Sequence, residues 1–113
     1  MVKQTLEHEI KDAIVRYLKK QGFYVLNLAS GCVKTARGQF IRFGEKGAAD
    51  LICCMPDGRF AAIEVKSPKG RLSPEQKQWL ANIESRHGLV VVARSVEDVI
   101  VALKQNGYLE ELF

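Results

Sequence analysis

The stretch LICCMPDGRFAAIEVK, residues 51–66, decides the fold of this chain. Two apolar runs, Leu51–Cys54 and Phe60–Ile63, flank a Pro-Asp-Gly turn signal. Proline presets the backbone of a turn, aspartate bonds its own backbone, and glycine accepts a positive φ, so the spacing predicts a β-hairpin. Pairing of the two runs brings the start of the first strand, preceded by Asp50, beside the end of the second, which carries Glu64.

Two carboxylates and one ammonium group meet at that end of the predicted hairpin. Residues i and i+2 of a strand share a face, so Glu64 and Lys66 point the same way while Val65 points away. A carboxylate pair attracts a hard divalent cation, and a lysine beside it can hold an anion or a water. The alternative is a structural ion pair that joins Lys66 to Glu64 or to Asp50.

Hydrophobic periodicity and capping signals place the other elements around this hairpin. The predicted elements are a helix at 5–20, a strand at 23–28, a helix from Ser73 to near Gly88, a strand at 89–93 and a helix from Ser95 to Gly107. Residues 29–47 predict a long basic loop with a short strand at 39–43. The helix between the last two strands predicts that they are parallel neighbours. The expected order is αβ(β)ββαβα, an α/β fold with a central mixed sheet flanked by helices.

Length and composition predict a single domain, residues 1–113. A chain of 113 residues with 47% apolar content can bury a core without disulfides or a structural metal. No apolar run approaches the ~20 residues that cross a membrane, and the N-terminus lacks the apolar core of a signal peptide. Cys53 and Cys54 are adjacent in a predicted buried strand. They predict reduced, packed thiols and an intracellular, cytoplasmic protein, since neighbouring strand residues rarely form a disulfide.

The positive charge is concentrated in one part of the chain. The net charge is +4, and residues 31–71 hold eight basic and four acidic residues, whereas the remainder holds nine of each. Basic side chains around an acidic centre suit a surface that attracts a polyanion. A solvated basic loop is the alternative. The candidate nucleic-acid-binding residues are Lys34, Arg37, Arg42, Lys46, Lys69 and Arg71.

Two further polar residues are candidates for the acidic site. Glu7 shares the inward face of the first helix with Ile10, and a buried carboxylate needs a partner or a metal. Alternatively, Glu7 favours the helix dipole and reaches water. Gln76 is the third helical residue after Ser73, so it either closes a capping box or turns its amide toward the end of the Lys66 strand.

Several other chemistries lack their motifs. The chain has no H-x-x-x-H or C-x-x-C spacing for zinc and no G-x-S-x-G nucleophile elbow. It also has no G-x-x-x-x-G-K-[ST] loop, so a nucleotide cofactor and nucleotide hydrolysis are unsupported.

The ordered set of site residues resembles the VRR-NUC family of the PD-(D/E)XK nuclease superfamily. The resemblance extends from the first helix to Ser95-Val96-Glu97-Asp98, and the length suits stand-alone, phage-type members. Ala49-Asp50 replaces the superfamily's Pro-Asp, a mild departure because the proline shapes the backbone and the aspartate binds the metal. The matching motifs are Glu7, Gly47-x-x-Asp50, Glu64-Val65-Lys66 and Leu72-Ser73-Pro74-x-Gln76-x-x-Trp79.

The resemblance implies a restriction-endonuclease-like core with the active site at one edge of the sheet. It implies a metal site for Mg²⁺ or Mn²⁺ formed by Glu7, Asp50, Glu64 and the carbonyl of Val65. Lys66 would position or activate the attacking water, and Gln76 would support the site. Asp50, Glu64, Lys66 and Gln76 are therefore the expected catalytic set.

The resemblance also implies an activity and a partner. We expect a metal-dependent DNA endonuclease, selective for branched DNA such as four-way junctions, that acts in replication, repair or recombination as a homodimer. The C-terminal tail is a candidate dimer contact, although covering the edge of the core is an equal alternative for Tyr108, Leu109, Leu112 and Phe113. The rival function is a non-catalytic module that binds DNA or a replication protein through the basic region 31–71.

Overall fold

A computed structural model describes residues 2–28 and 31–110 and, within them, the side chains of residues 6–28, 34–41 and 44–110. The elements are α1 (Val2–Lys20), β1 (Tyr24–Asn27), β2 (Gly31–Lys34), β3 (Phe40–Phe43), β4 (Leu51–Cys54), β5 (Phe60–Val65), α2 (Pro74–Ser85), β6 (Leu89–Ala93) and α3 (Val96–Gln105). Four strands form one sheet in the order β1-β4-β5-β6, and β2 pairs with β3 in a separate hairpin. The β5–β6 pair is parallel, and the other pairs of the sheet are antiparallel. The predicted α/β fold with a mixed sheet flanked by helices is confirmed.

The central hairpin of β4 and β5 forms as its turn signal predicts. Leu51 pairs with Ile63, so the preceding Asp50 lies opposite Glu64. Gly58 in the turn has a φ of +85°, a left-handed conformation that the missing Cβ permits. The hairpin register therefore brings the two carboxylates to one end of the sheet, as expected.

Helices cover the two faces of the sheet. On one face, α1 and α3 contribute Ile14 and Val99 to a core with Leu51 of β4, and all three side chains are fully buried. On the other face, α2 packs through Leu80 on Ala62 of β5. None of the helices in the described ranges is both long enough and apolar enough to cross a membrane.

The tail contacts its own core. Tyr108 and Leu109 pack against the cluster that α1 and α3 cover, and the Tyr108 hydroxyl donates to the Asp57 carboxylate at 2.9 Å. Tyr108 and Leu109 therefore cover the edge of the core, which is one of the two alternatives predicted for the tail; the other was a dimer contact. Leu112 and Phe113 lie outside the described residues.

The structure differs from the sequence prediction at two places. The predicted short strand at 39–43 is present as β3, but it pairs with β2, which the sequence prediction assigned to a loop. The second difference is Cys54, which is exposed, whereas Cys53 is buried as predicted and burial raises the pKa of its thiol to about 11. Cys54 is the last residue of β4 and points to the face of the sheet that α2 packs on, but it lies beyond the area that α2 covers. Its neighbour across the strands is the exposed Tyr24.

Candidate active site

One end of the sheet collects the predicted site residues. Strands β1, β5 and β6 end there and β4 begins there, because β4 alone runs in the opposite direction. Two backbone hydrogen bonds close this end, from the Leu28 N–H to the Asp50 carbonyl at 2.8 Å and from the Lys66 N–H to the Ala93 carbonyl at 2.9 Å.

Asp50 and Glu64 are fixed by hydrogen bonds at the strand ends. The Asp50 Oδ2 accepts the backbone N–H of Val65 at 2.8 Å, which ties this carboxylate to the end of β5. Glu64 is only 3% exposed, and its Oε2 lies 3.6 Å from the Lys66 Nζ. The other oxygen, Oε1, is buried and accepts no hydrogen bond from any described residue. A buried carboxylate oxygen without a partner is costly, so this atom is free to bind a cation.

The electrostatics of Glu64 also favour a cation at this position. Burial and, to a smaller extent, the negative charge of Asp50 raise the pKa of Glu64 from 4.5 to about 7, against the opposing effect of the Lys66 ammonium. The site therefore holds more negative charge than its single lysine balances.

Gln76 has both of the functions that the sequence left as alternatives. Its Oε1 accepts the Ser73 N–H at 2.9 Å while its own N–H donates to the Ser73 Oγ at 3.1 Å, which completes the capping box of α2. Its Nε2 donates to the Glu64 Oε2 at 3.0 Å. The two ends of one amide thus connect the start of α2 to the buried carboxylate.

The turn after β5 encloses the stem of Lys66. The side chain of Lys66 is 13% exposed. The Gly70 N–H donates to the Ser67 carbonyl at 3.0 Å, and a Cβ placed on Gly70 would lie 3.4 Å from the Lys66 Cδ. The turn therefore packs on the methylene groups and restrains the ammonium beside Glu64.

Arg94 is a residue at this end that the sequence reasoning missed. It follows β6 directly, and its Nη2 donates to the Gly70 carbonyl at 2.8 Å, so it holds the turn that covers Lys66. Its Nη1 is buried and lacks a hydrogen-bond partner within residues 2–28 and 31–110. The sequence did contain one signal for Arg94. It follows a strand that is predicted to lie parallel to the Glu64 strand, so the ends of both strands lie at the same edge of the sheet.

Glu7 lies farther out than the Asp50–Glu64 pair. It is half-buried on α1, and its charge contributes the smallest of the five influences on the pKa of Glu64. No three His, Cys, Asp or Glu side chains in the described part of the chain are close enough together to form a metal site. The described geometry is therefore a carboxylate pair with Glu7 nearby, and the metal-binding role of Glu7 stays a prediction.

The donor atoms at this end fit a hard divalent cation. The Asp50 and Glu64 carboxylates and the backbone carbonyl of Val65 offer oxygen atoms, the donor type that Mg²⁺ and Mn²⁺ prefer. The unpartnered Oε1 of Glu64 gives independent support, because a bound cation would satisfy it.

The basic residues occupy different parts of the surface. Lys69 and Arg71 are exposed just beyond β5, at the active-site end. Lys34 and Arg37 are exposed on the β2–β3 hairpin, and the side chain of Arg42 lies outside the described side chains. Lys46 is exposed too, but its Nζ lies 3.5 Å from the Glu75 Oε2.

One basic residue of the stretch 31–71 lies far from the site. Arg59 lies in the β4–β5 turn at the opposite end of the sheet, where its Nε donates to the His87 carbonyl at 2.8 Å. The basic residues of 31–71 are therefore not all at the carboxylate end, since Lys69 and Arg71 lie there and Arg59 lies at the opposite end.

Gly47 connects the Asp50 strand to the start of α2. Its φ is +87°, and a Cβ placed there would lie 2.5 Å from the Glu75 carbonyl oxygen. Both the backbone conformation and the close approach require glycine. Because Glu75 precedes Gln76, a side chain at position 47 would displace the amide that bonds Glu64.

We expect Gly47→Ala to lower the free energy of unfolding and to impair the site. The left-handed conformation costs a residue with a Cβ about 1–2 kcal/mol, and the steric overlap adds about 1–3 kcal/mol. Gly58→Ala is the matched control, since Gly58 has a φ of +85° and no atom within 4 Å of its Cβ position. Urea unfolding of both variants measures the difference. Equal losses of stability would show that the contact with Glu75 does not constrain position 47.

Comparison with known families identifies the fold and the class of activity. The sequence profile of the VRR-NUC domain matches residues 6–97 of the 113-residue chain. The chain belongs to the VRR-NUC domain family. The resemblance inferred from the motifs is thereby confirmed, and the VRR-NUC match spans every predicted site residue from Glu7 to Gln76. VRR-NUC domains are nuclease domains, so this chain has a nuclease-type function in DNA processing. No curated protein matches the chain.

Proposed function

We propose that this VRR-NUC domain is a metal-dependent DNA endonuclease that selects branched DNA, such as four-way junctions, in replication, repair or recombination. The observation that carries the proposal is the buried Glu64 carboxylate, whose Oε1 has no partner among the described residues and which lies beside Asp50 and Lys66. A purely structural glutamate at this position would be expected to have both oxygens satisfied.

The residues that would hold the ion are Asp50, Glu64 and the carbonyl of Val65, with Glu7 as a further ligand. A bound Mg²⁺ or Mn²⁺ would make a water more acidic and polarise a non-bridging oxygen of the scissile phosphate. Asp50 stays aligned because the Val65 N–H holds its Oδ2 at 2.8 Å. Gln76 fixes the orientation of Glu64 through the 3.0 Å bond to Oε2, which leaves Oε1 directed away from the amide.

Lys66 supplies the remaining charge at the site. Its ammonium, restrained by the Ser67–Gly70 turn, can orient the attacking water or offset the negative charge that develops on the phosphate in the transition state. A group held in place before reaction stabilises that charge without reorganisation. A role in orienting water or stabilising charge would explain why a mostly buried lysine lies beside the two carboxylates.

The proposed substrate contacts follow the distribution of basic residues. Lys69 and Arg71, next to the site, would bind the backbone that is cut, and the β2–β3 hairpin would bind DNA through Lys34, Arg37 and Arg42. Lys46 would have to release Glu75 before it could contact a phosphate. Phosphate contacts of this kind position DNA without reading its sequence.

A homodimer is part of the proposal. A four-way junction has near-twofold symmetry, and cutting two of its strands needs two active sites, whereas one chain supplies one. A cytoplasmic setting suits the two described cysteines, which are free thiols.

A cleavage assay with a panel of labelled DNAs tests the proposed function. We expect the protein to cut junctions or flaps faster than duplex DNA in Mg²⁺ or Mn²⁺, and EDTA to stop cutting without abolishing binding. A bound metal ion would polarise the phosphate and activate the attacking water, so cutting would depend on it, whereas the basic residues would bind DNA in its absence. If DNA affinity does not depend on metal and no substrate is cut, the rival function, a non-catalytic DNA-binding module, would be supported instead.

A further inference from the structure

The β2–β3 hairpin, residues 31–43, stands apart from the rest of the domain, and we call it the arm. Its two strands pair with each other and with no other strand of the described chain. The molecule is elongated, with extents of 57 × 33 × 24 Å. Its radius of gyration is 15.1 Å, against about 13 Å for a compact chain of this length. A two-stranded hairpin alone is marginally stable in water, so we expect the arm to pack against a binding partner.

The arm emerges from the active-site end of the sheet. The strand before it, β1, ends beside Asp50, where the Leu28 N–H donates to the Asp50 carbonyl at 2.8 Å. The chain that leaves the arm returns through Gly44 and Gly47 to the same Asp50. The base of the arm therefore lies next to the carboxylate pair, and its outer end, where Lys34 pairs with Phe40, is three residues farther along each strand.

The side chains of the arm combine positive charge with exposed apolar surface. Residues 31–43 contain Lys34, Arg37 and Arg42 and no acidic residue. Phe40 is nevertheless 71% exposed and Ile41 is 52% exposed. The Lys34 Nζ lies 5.9 Å from the centre of the Phe40 ring, because the two residues pair across the strands.

This combination favours one class of partner. An apolar protein surface would desolvate the three cations without neutralising them, which is costly. The backbone of intact duplex DNA would neutralise the cations but would not use an exposed aromatic ring. DNA with unstacked bases offers both features, since its phosphates bind the cations and its base faces stack on the ring.

We propose that the arm recognises the branch point of the DNA, with Phe40 stacked on a base face that the interrupted stacking exposes there and Lys34 on the adjoining phosphate. The inference rests on the proposed function and names the substrate feature that the same active site selects. It assigns the preference for branched DNA to Phe40, whereas the basic residues of the arm contribute affinity for any DNA.

Phe40→Ala tests the role of the arm by equilibrium binding in EDTA, where no cleavage occurs. The DNAs are a four-way junction, a flap and a matched duplex, with 2-aminopurine at the branch point. Loss of one base stack weakens binding by about 10-fold, so we expect the Kd for junction and flap to rise about 10-fold and the Kd for duplex to change less than twofold. We also expect the quenching of 2-aminopurine by wild-type protein to disappear. Phe60→Ala is the matched control, because Phe60 is 43% exposed at the opposite end of the sheet.

The possible results separate this inference from the proposed nuclease function. Unchanged junction binding by Phe40→Ala, or equal weakening for junction and duplex, would overturn it. A change from dimer to monomer in light scattering of Phe40→Ala without DNA would also overturn it, since the ring would then contact a second copy. If wild-type protein shows the expected binding pattern but cuts nothing in Mg²⁺ or Mn²⁺, the nuclease proposal fails while the role of the arm stands. If wild-type protein cuts junctions and Phe40→Ala binds them normally, only the arm inference fails.

Discussion

Replacing Glu64 by glutamine is expected to abolish DNA cleavage and to stabilise the metal-free protein at pH 8. Burial and the neighbouring Asp50 raise the pKa of Glu64 from 4.5 to about 7. A carboxyl group whose pKa is raised by folding opposes folding when it is ionised. The penalty is absent below pH 4.5, grows as the pH rises toward 7, and is complete above that value. Glutamine removes it, because the amide carries no charge.

The size and sign of this stability change distinguish two interpretations of Glu64. A pKa raised by this amount corresponds to a penalty of up to about 3 kcal/mol in the metal-free protein. If the Glu64–Lys66 pair were instead a structural ion pair, Glu64→Gln would leave a mostly buried ammonium without its partner and destabilise the fold by about 3–5 kcal/mol. Urea unfolding at pH 5 and pH 8, in EDTA, measures the difference between variant and wild type. Glu84→Gln, on the exposed surface of α2, is the control and should change neither value.

The same variant tests the metal site directly. We expect cleavage to fall at least about 10³-fold, the upper range for loss of one group that stabilises transition-state charge. Saturating Mn²⁺ should stabilise wild type, by about 2.7 kcal/mol at a hundred times the Kd, through linkage of binding to folding. Glu64→Gln should lose this stabilisation while retaining DNA binding in EDTA. Cleavage at the wild-type rate by this variant would refute the proposed site.

Local sequence signals were sufficient for much of the fold and for the acidic pair. The Pro-Asp-Gly turn and its two apolar runs set the register of β4 and β5, and this register alone places Asp50 opposite Glu64. The cap at Ser73 likewise fixed the start of α2. Such features are predictable because the residues that determine them are close together in the chain.

Features that depend on distant contacts were not predictable. Arg94 reaches the carbonyl of Gly70, and a backbone acceptor 24 positions away has no sequence signature. The strand β2 has only four residues, Gly31–Lys34, without alternating apolar and polar residues, and it exists through its pairing with β3. The sequence could not show that Gln76 has both roles, because spacing does not reveal that each end of an amide has its own partner.

Replacing Lys66 by methionine is expected to reduce the rate of cleavage with little effect on DNA affinity. Methionine keeps the apolar stem on which the Ser67–Gly70 turn packs but removes the ammonium that lies 3.6 Å from the Glu64 Oε2. If the ammonium acts on charge that develops only in the transition state, kcat should fall by about 10²–10³-fold while KM stays within about twofold. Because Lys66 lowers the pKa of Glu64, its loss should also move protonation of that carboxyl to higher pH.

The pattern of kinetic changes identifies what Lys66 does. A rise in KM at constant kcat would mean that Lys66 binds the ground-state phosphate, and unchanged kinetics would mean that it forms only an ion pair with Glu64. Lys19→Met is the control, since Lys19 is exposed in the last turn of α1, at the opposite end of the domain. Lys66→Arg adds a further distinction, because arginine keeps the charge but is effectively always protonated. Activity retained by Lys66→Arg would indicate that the residue stabilises charge, whereas loss in both variants would indicate that the compact ammonium positions the attacking water.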